Sequence, residues 1–206
     1  PGTDLSMAHI DDSKDVVSPI KTRALVLALF IASIVMVSAA DLFFGLGLRR
    51  YGIYPRDFGG LTGLLFAPWL HGSFWHLFAN VGALAILGWF CLWPRISRFL
   101  LVTAGAMLGS GLVAWLFGGS RTVHLGASGI IFGYFGFLAL RGWYERTFSA
   151  LLVSLGVTFF YGGMVMGVLP VQQGISWQCH LGGFLSGIAL ARSFRTSSAE
   201  RSSARH

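Results

Sequence analysis

Of the 206 residues, 54% are hydrophobic and 11% charged, against about a quarter charged in soluble domains. So few charges cannot cover a soluble surface of this size, and an integral membrane protein is expected. The formal net charge of +7 sits mostly at the ends of apolar runs, which marks membrane topology rather than a phosphate-binding patch, so no nucleic-acid partner is expected.

Residues 1–20 are polar, carry Asp4, Asp11, Asp12 and Asp15, and show no apolar periodicity. A disordered tail is expected there, with Met7 a candidate native start. The membrane domain is expected over residues 21–194. A spanning helix needs about 20 mainly apolar residues, and six runs qualify: roughly 22–46, 73–93, 99–117, 126–143, 148–168 and 176–194. The breakers between them are Pro94, Gly118-Gly119, Arg141-Gly142 and the stretch from Pro170 to Gly174. Between the first and second runs lies a mixed stretch, residues 47–72, with Arg49, Arg50, Tyr51, Pro55, Arg56 and Asp57. Loops of that length are usually functional. A Ser/Arg-rich tail over 195–206 is expected to be disordered.

Six spans put both termini on one side. Eleven of the fifteen Lys and Arg fall on that side, while Arg49, Arg50, Arg56 and Arg121 fall opposite. The termini are therefore expected in the cytoplasm. Cys91 and Cys179 fall at opposite faces of the bilayer, too far apart for a disulfide. Neither HExxH nor CxxC occurs, and no metal or cofactor is expected.

On this map every second span enters from outside. His76 and Asn80 lie in the first two turns of the second span, Ser128 in the first turn of the fourth and His180 in the second turn of the sixth. Four polar groups on three helices thus share one depth, and ionisable residues inside membranes mark functional sites. Ser128 by itself has two readings: a small packing residue between helices, or a nucleophile whose flanking Gly126 and Gly129 leave room for a substrate backbone. The level set of partners favours the second. His180, Gly183 and Gly187 form one helical stripe. Gly129, Gly133 and Gly136 form a matching one beside Ser128, so close approach of the two helices would bring imidazole to hydroxyl. The second, fourth and sixth spans contain no Asp or Glu, and Glu145 falls just past the inner end of the fourth. This disfavours a Ser-His-Asp triad and leaves a Ser-His dyad in which the base deprotonates the hydroxyl. Cys179 points about 100° away from His180 and is read as packing.

At these residues the sequence resembles the rhomboid family of intramembrane serine proteases. The resemblance is carried by Trp69-Leu70-His71-Gly72-Ser73-Phe74-Trp75-His76-Leu77-Phe78-Ala79-Asn80, by Gly126-Ala127-Ser128-Gly129 and by His180-Leu181-Gly182-Gly183 with Gly187. The loop piece from Tyr51 to Arg56 looks like bacterial members. The resemblance spans about residues 49–192. It implies an all-α bundle of six transmembrane helices in a bacterial cytoplasmic membrane. Ser128 would attack the scissile carbonyl, and His180 would act as base and then acid. The backbone N–H of Ser128 with the side chains of His76 and Asn80 would form the oxyanion hole, and His71 would support the loop. The substrates would be transmembrane segments of other proteins, cut near the outer surface. One departure is Phe132, where the family often has Tyr; ring stacking on His180 can persist without the hydroxyl. Two other readings fit the composition. One is a catalytically inactive relative that binds membrane clients. The other is a transporter lined by His71, His76, His124 and His180.

Overall fold

The computed structural model describes residues 12–93, 95–171 and 174–195, with no strand among them. Six long helices form a bundle: α1 (Asp12–Phe44), α3 (Phe74–Leu92), α4 (Ile96–Phe117), α5 (Ser128–Glu145), α6 (Phe148–Tyr161) and α7 (Trp177–Ser193). A single short turn, α2 (Gly63–Phe66), lies in the first loop. Of the two tails expected from composition, residues 1–11 and 196–206 lie outside the described residues.

The first boundary needs correction. The chain is helical from Asp12, ten residues before the expected start of the span and inside the expected tail. A helix already nucleated by an apolar span propagates outward at little cost. The apolar part begins at Pro19.

Among the described residues, four helices are long and apolar enough to cross a membrane: Pro19–Phe44, Phe74–Leu92, Ile96–Phe117 and Phe148–Val168. The other two, α5 and α7, have 18 and 17 residues and carry the glycines and the polar site residues. The difference has a structural reason. Thirteen of the 18 residues of α5 are buried, on all faces, whereas α6 buries only Ala150, Ser154 and Val157. A helix surrounded by protein gains more from close packing than from apolar surface, while a lipid-facing helix needs the surface. The protein is accordingly a multi-pass membrane bundle in which α5 is the axis, packed by α3, α4, α6 and α7.

Glycine sets how close α5 and α7 come. A Cβ at Gly183 would land on the carbonyl oxygen of Gly129, and one at Gly187 on that of Gly133. The stripes inferred from spacing thus touch backbone to backbone. Gly182, one residue away, makes the same kind of contact with Gly109 of α4.

Side chains cap the helices that matter for the site. Ser73 accepts from the backbone N–H of His76 at 3.1 Å and starts α3. Ser176 accepts from that of Cys179 at 3.3 Å and starts α7. The first loop is structured, with 3-10 turns at Leu48–Tyr51, Gly59–Thr62 and Ala67–Trp69 around α2. Arg56 pins it to the C-terminal end of α4 by donating from Nη1 to the carbonyls of Leu116 at 3.0 Å and Gly118 at 2.8 Å.

Candidate active site

Ser128 is the first residue of α5, so its hydroxyl projects from the helix mouth and its backbone N–H has no intrahelical acceptor. His180, in the first turn of α7, places Nε2 2.9 Å from Ser128 Oγ. The other ring nitrogen, Nδ1, lies 2.9 Å from the carbonyl oxygen of Gly167. A carbonyl only accepts, so Nδ1 carries the proton and Nε2 is left with a lone pair directed at the serine hydroxyl. Phe132 stacks on the imidazole with centroids 4.0 Å apart and planes 7° from parallel. The imidazole is therefore fixed in tautomer by a backbone carbonyl and in plane by an aromatic ring, without a carboxylate.

The carboxylates nearest in sequence serve elsewhere. Asp41 Oδ1 accepts from the backbone N–H of Leu48 at 2.9 Å and Asp57 Oδ1 from that of Gly59 at 2.8 Å. Glu145 is the last residue of α5, 17 residues from Ser128 and thus about 25 Å along the axis. There it pairs with Arg98 and with Arg141, whose Nε is 3.0 Å away.

On the other flank, α3 presents His76 and Asn80 to the same cleft. Asn80 Nδ2 donates to Nε2 of His71 at 3.0 Å. His71 is fully buried, and its Nδ1 lies 2.7 Å from Ser38 Oγ, which itself donates to the carbonyl of Trp69 at 2.7 Å. Because the Ser38 proton is committed to Trp69, His71 Nδ1 is the donor and Nε2 the acceptor. One relay thus runs from Asn80 through His71 and Ser38 to the main chain of the loop. Burial lowers the pKa of His71 to about 4, with the nearby His76 adding to the effect, so the ring stays neutral. Besides reaching the loop through Ser38 and Trp69, His71 holds the Asn80 amide. His76 packs edge-on to His71, with centroids 5.0 Å apart.

The glycines beside the serine act differently from the sequence expectation. Gly126 has φ +113°, and a Cβ there would sit 2.8 Å from Cε1 of His76 and 3.0 Å from its Nε2. A Cβ at Gly129 would sit 2.5 Å from Cβ of Ser110 on α4. Both make room for protein neighbours, His76 and α4, rather than directly for substrate.

His76, Asn80, Ser128 and His180 together line one open cleft of about 870 Å³, between the N-terminal ends of α3, α5 and α7. Cys179 is buried and packs with Ile53, Ala67 and Ala114, away from the dyad. Three contributors were not singled out in the sequence: Ser38, Gly167 and Ser176. Ser38 left a weak signal, a hydroxyl in an apolar run one turn before Asp41. Gly167 left none, because any residue brings a carbonyl.

Comparison with known proteins gives the family. The model of the Rhomboid domain matches residues 59–196. An uncharacterized protein of Mycobacterium tuberculosis is 39% identical over 170 residues, which cover 79% of this chain and 71% of that protein. An uncharacterized protein of Mycobacterium leprae is 38% identical over 170 residues, covering 79% and 67%. A RHOMBOID-like protein 5 of Arabidopsis thaliana is 31% identical over 158 residues, covering 69% of this chain and 48% of its own length. With the family model spanning most of the chain and all three motif regions inside the match, this protein belongs to the rhomboid family.

Proposed function

We propose that this protein is an intramembrane serine endopeptidase that cleaves transmembrane segments of other membrane proteins near the outer surface. The observation that carries the reading is the 2.9 Å contact between Ser128 Oγ and His180 Nε2, with the opposite ring nitrogen committed to Gly167, at the floor of a cleft open to water. In the proposed mechanism His180 takes the Ser128 proton as the oxygen attacks the scissile carbonyl, and the imidazolium then protonates the leaving amine. Water, activated by the same ring, hydrolyses the acyl-enzyme. The backbone N–H of Ser128, the second N–H of Asn80 Nδ2 and the ring of His76 surround the place where the oxyanion would form, and His71 keeps the Asn80 amide in that orientation.

The charge count supports an orientation with both termini in the cytoplasm and the cleft toward the exterior. In a bacterium that places the site at the outer face of the cytoplasmic membrane. The transporter alternative gains no support from His71, His124 and His180, whose ring nitrogens are engaged with separate partners. His71 binds Ser38 and Asn80, while His124 binds Thr122 and Ser176. Among the described residues no three His, Cys, Asp or Glu converge as a metal set.

The test is an activity-based one. A fluorophosphonate probe should label the purified protein at Ser128, and labelling should vanish in both Ser128→Ala and His180→Ala. A wild-type protein that takes no label and cuts no transmembrane substrate is the inactive client-binding relative instead.

A further inference from the structure

His124 is buried and belongs to neither the dyad nor the Asn80 relay. It lies four residues before Ser128, on the segment that enters α5. Its backbone is fixed to the first loop by a bridge with Ile53, through N–H···O distances of 2.9 and 3.0 Å. Both ring nitrogens are engaged. Nε2 lies 2.9 Å from Thr122 Oγ1, whose own proton goes to the carbonyl of Gly119 at 2.7 Å. Nε2 therefore carries the ring proton, and Nδ1 accepts from Ser176 Oγ at 2.5 Å. Ser176 is the N-cap of α7, and its carbonyl accepts from the backbone N–H of His180 at 3.2 Å.

The spacing is the same on both sides of this contact. His124 precedes the nucleophile by four residues, and Ser176 precedes the base by four. The glycine contacts of α5 and α7, Gly129 with Gly183 and Gly133 with Gly187, lie at and below the dyad. They set how near the helices come along that line. The His124–Ser176 hydrogen bond closes the outer end.

We propose that His124 is a positioning residue: its contact with Ser176 clamps the entry of α5 to the cap of α7 and so holds Ser128 and His180 in register. The proposal rests on the serine-peptidase reading. It makes the first loop a participant as well, since Ile53 fixes the backbone from which the clamp reaches. A misplacement of about 1 Å costs on the order of 10² in rate, so the clamp acts on turnover rather than on substrate binding.

Two substitutions separate the clamp from mere packing. In His124→Asn the side-chain oxygen falls near the former Nδ1 and accepts from Ser176. In His124→Gln the terminal amide falls near the former Nε2, reaching Thr122 and leaving Ser176 unpartnered. Turnover and KM on a transmembrane substrate, fluorophosphonate labelling rates of Ser128 and thermal unfolding are measured for both, with Ser176→Ala introduced into the wild type and into His124→Gln. We expect His124→Asn to keep kcat within about 3-fold and His124→Gln to lose about 10- to 100-fold, with KM and unfolding temperature alike in the two. Ser176→Ala should cost clearly less in the His124→Gln background than in the wild type; capping of α7 is common to both arms of the cycle and cancels. Equal turnover for the Asn and Gln variants, or the same fold loss from Ser176→Ala in both backgrounds, overturns the clamp while wild-type labelling of Ser128 keeps the peptidase reading. A wild type without labelling or cleavage overturns both.

Discussion

The carbonyl of Gly167 accepts the Nδ1 proton of His180 at 2.9 Å, and the two residues come from different kinds of structure. His180 sits in a capped α-helix. Gly167 sits near the end of the 3-10 segment Gly162–Val168 that continues α6, the least buried of the long helices beside the site. The orientation of the proposed base therefore depends on the seating of a peripheral element. Seated, the segment supplies the acceptor that a carboxylate supplies in a triad; displaced, it leaves the ring free to change tautomer.

A side chain at Gly167 tests this dependence. Its Cβ would lie 2.7 Å from Cζ of Phe132 and 3.3 Å from Nδ1 of His180, so Gly167→Ala has to push the segment off the ring. Turnover should fall by about 10² for a shift near 1 Å, while the unfolding temperature changes little because the segment buries no residue. A fully active Gly167→Ala variant would show that the carbonyl is dispensable to the base.

The polar residues should not be equally costly to lose. Ser128→Ala and His180→Ala should each abolish detectable cleavage. Asn80→Ala removes one of several proposed oxyanion donors, an expected effect of about 10²–10³ in turnover, or roughly 3–4 kcal/mol. It should leave slow cleavage, unchanged substrate binding and a serine still open to fluorophosphonate, because the donor acts on charge present only in the transition state. If Asn80→Ala weakens binding without slowing cleavage, the oxyanion role falls.

His71 gives a pH signature in stability. Its pKa is lowered from 6.5 to about 4 in the folded protein, chiefly by burial. Between those values the unfolded chain binds a proton that the folded one does not, so stability rises with pH there, by at most about 1.4 kcal/mol per pH unit. The contribution is fully present above pH 6.5 and lost as pH falls toward 4. Unfolding temperatures followed across pH 4–7 should decline on the acid side, and His71→Gln should flatten the decline; an identical slope in the variant would assign it to other groups.

Gly183 and Gly182 test which helix contact the dyad depends on. A Cβ at Gly183 strikes the carbonyl of Gly129, the residue after the serine, whereas one at Gly182 strikes Gly109 on α4. Both Ala variants should unfold at lower temperature. Gly183→Ala should also lose labelling of Ser128 by more than ten times the loss in Gly182→Ala, following the steep dependence of rate on alignment. Equal labelling would place the critical contact at α4 instead.

Orientation is measurable in intact cells, because both native cysteines are buried and leave a quiet background. Arg56→Cys and Ser120→Cys, at exposed positions of the outer loops, should react with a thiol reagent that does not cross the membrane. Ser97→Cys, exposed at the start of α4, should stay unreacted until the cells are opened. The reverse pattern would invert the topology.

The sequence by itself determined the membrane class, the six long helices, the gathering of Ser128, His76, Asn80 and His180 at one end of the bundle, and the glycine stripes along which α5 and α7 meet. These are periodic or compositional properties, and a helix converts residue spacing directly into facing. The tertiary structure decided what spacing does not encode. That the imidazole leans on Gly167 depends on a backbone carbonyl, a group every residue carries. That His71 joins Asn80 to Ser38, and that His124 joins Thr122 to Ser176, depends on side chains far apart in sequence meeting where helices cross. The start of α1 at Asp12 escaped because a helix extended from a stable span needs no apolar face of its own. The roles of Gly126 and Gly129 changed for a related reason. Glycine in a sequence states that room is needed, and only the packed neighbours, here His76 and Ser110, show what fills it.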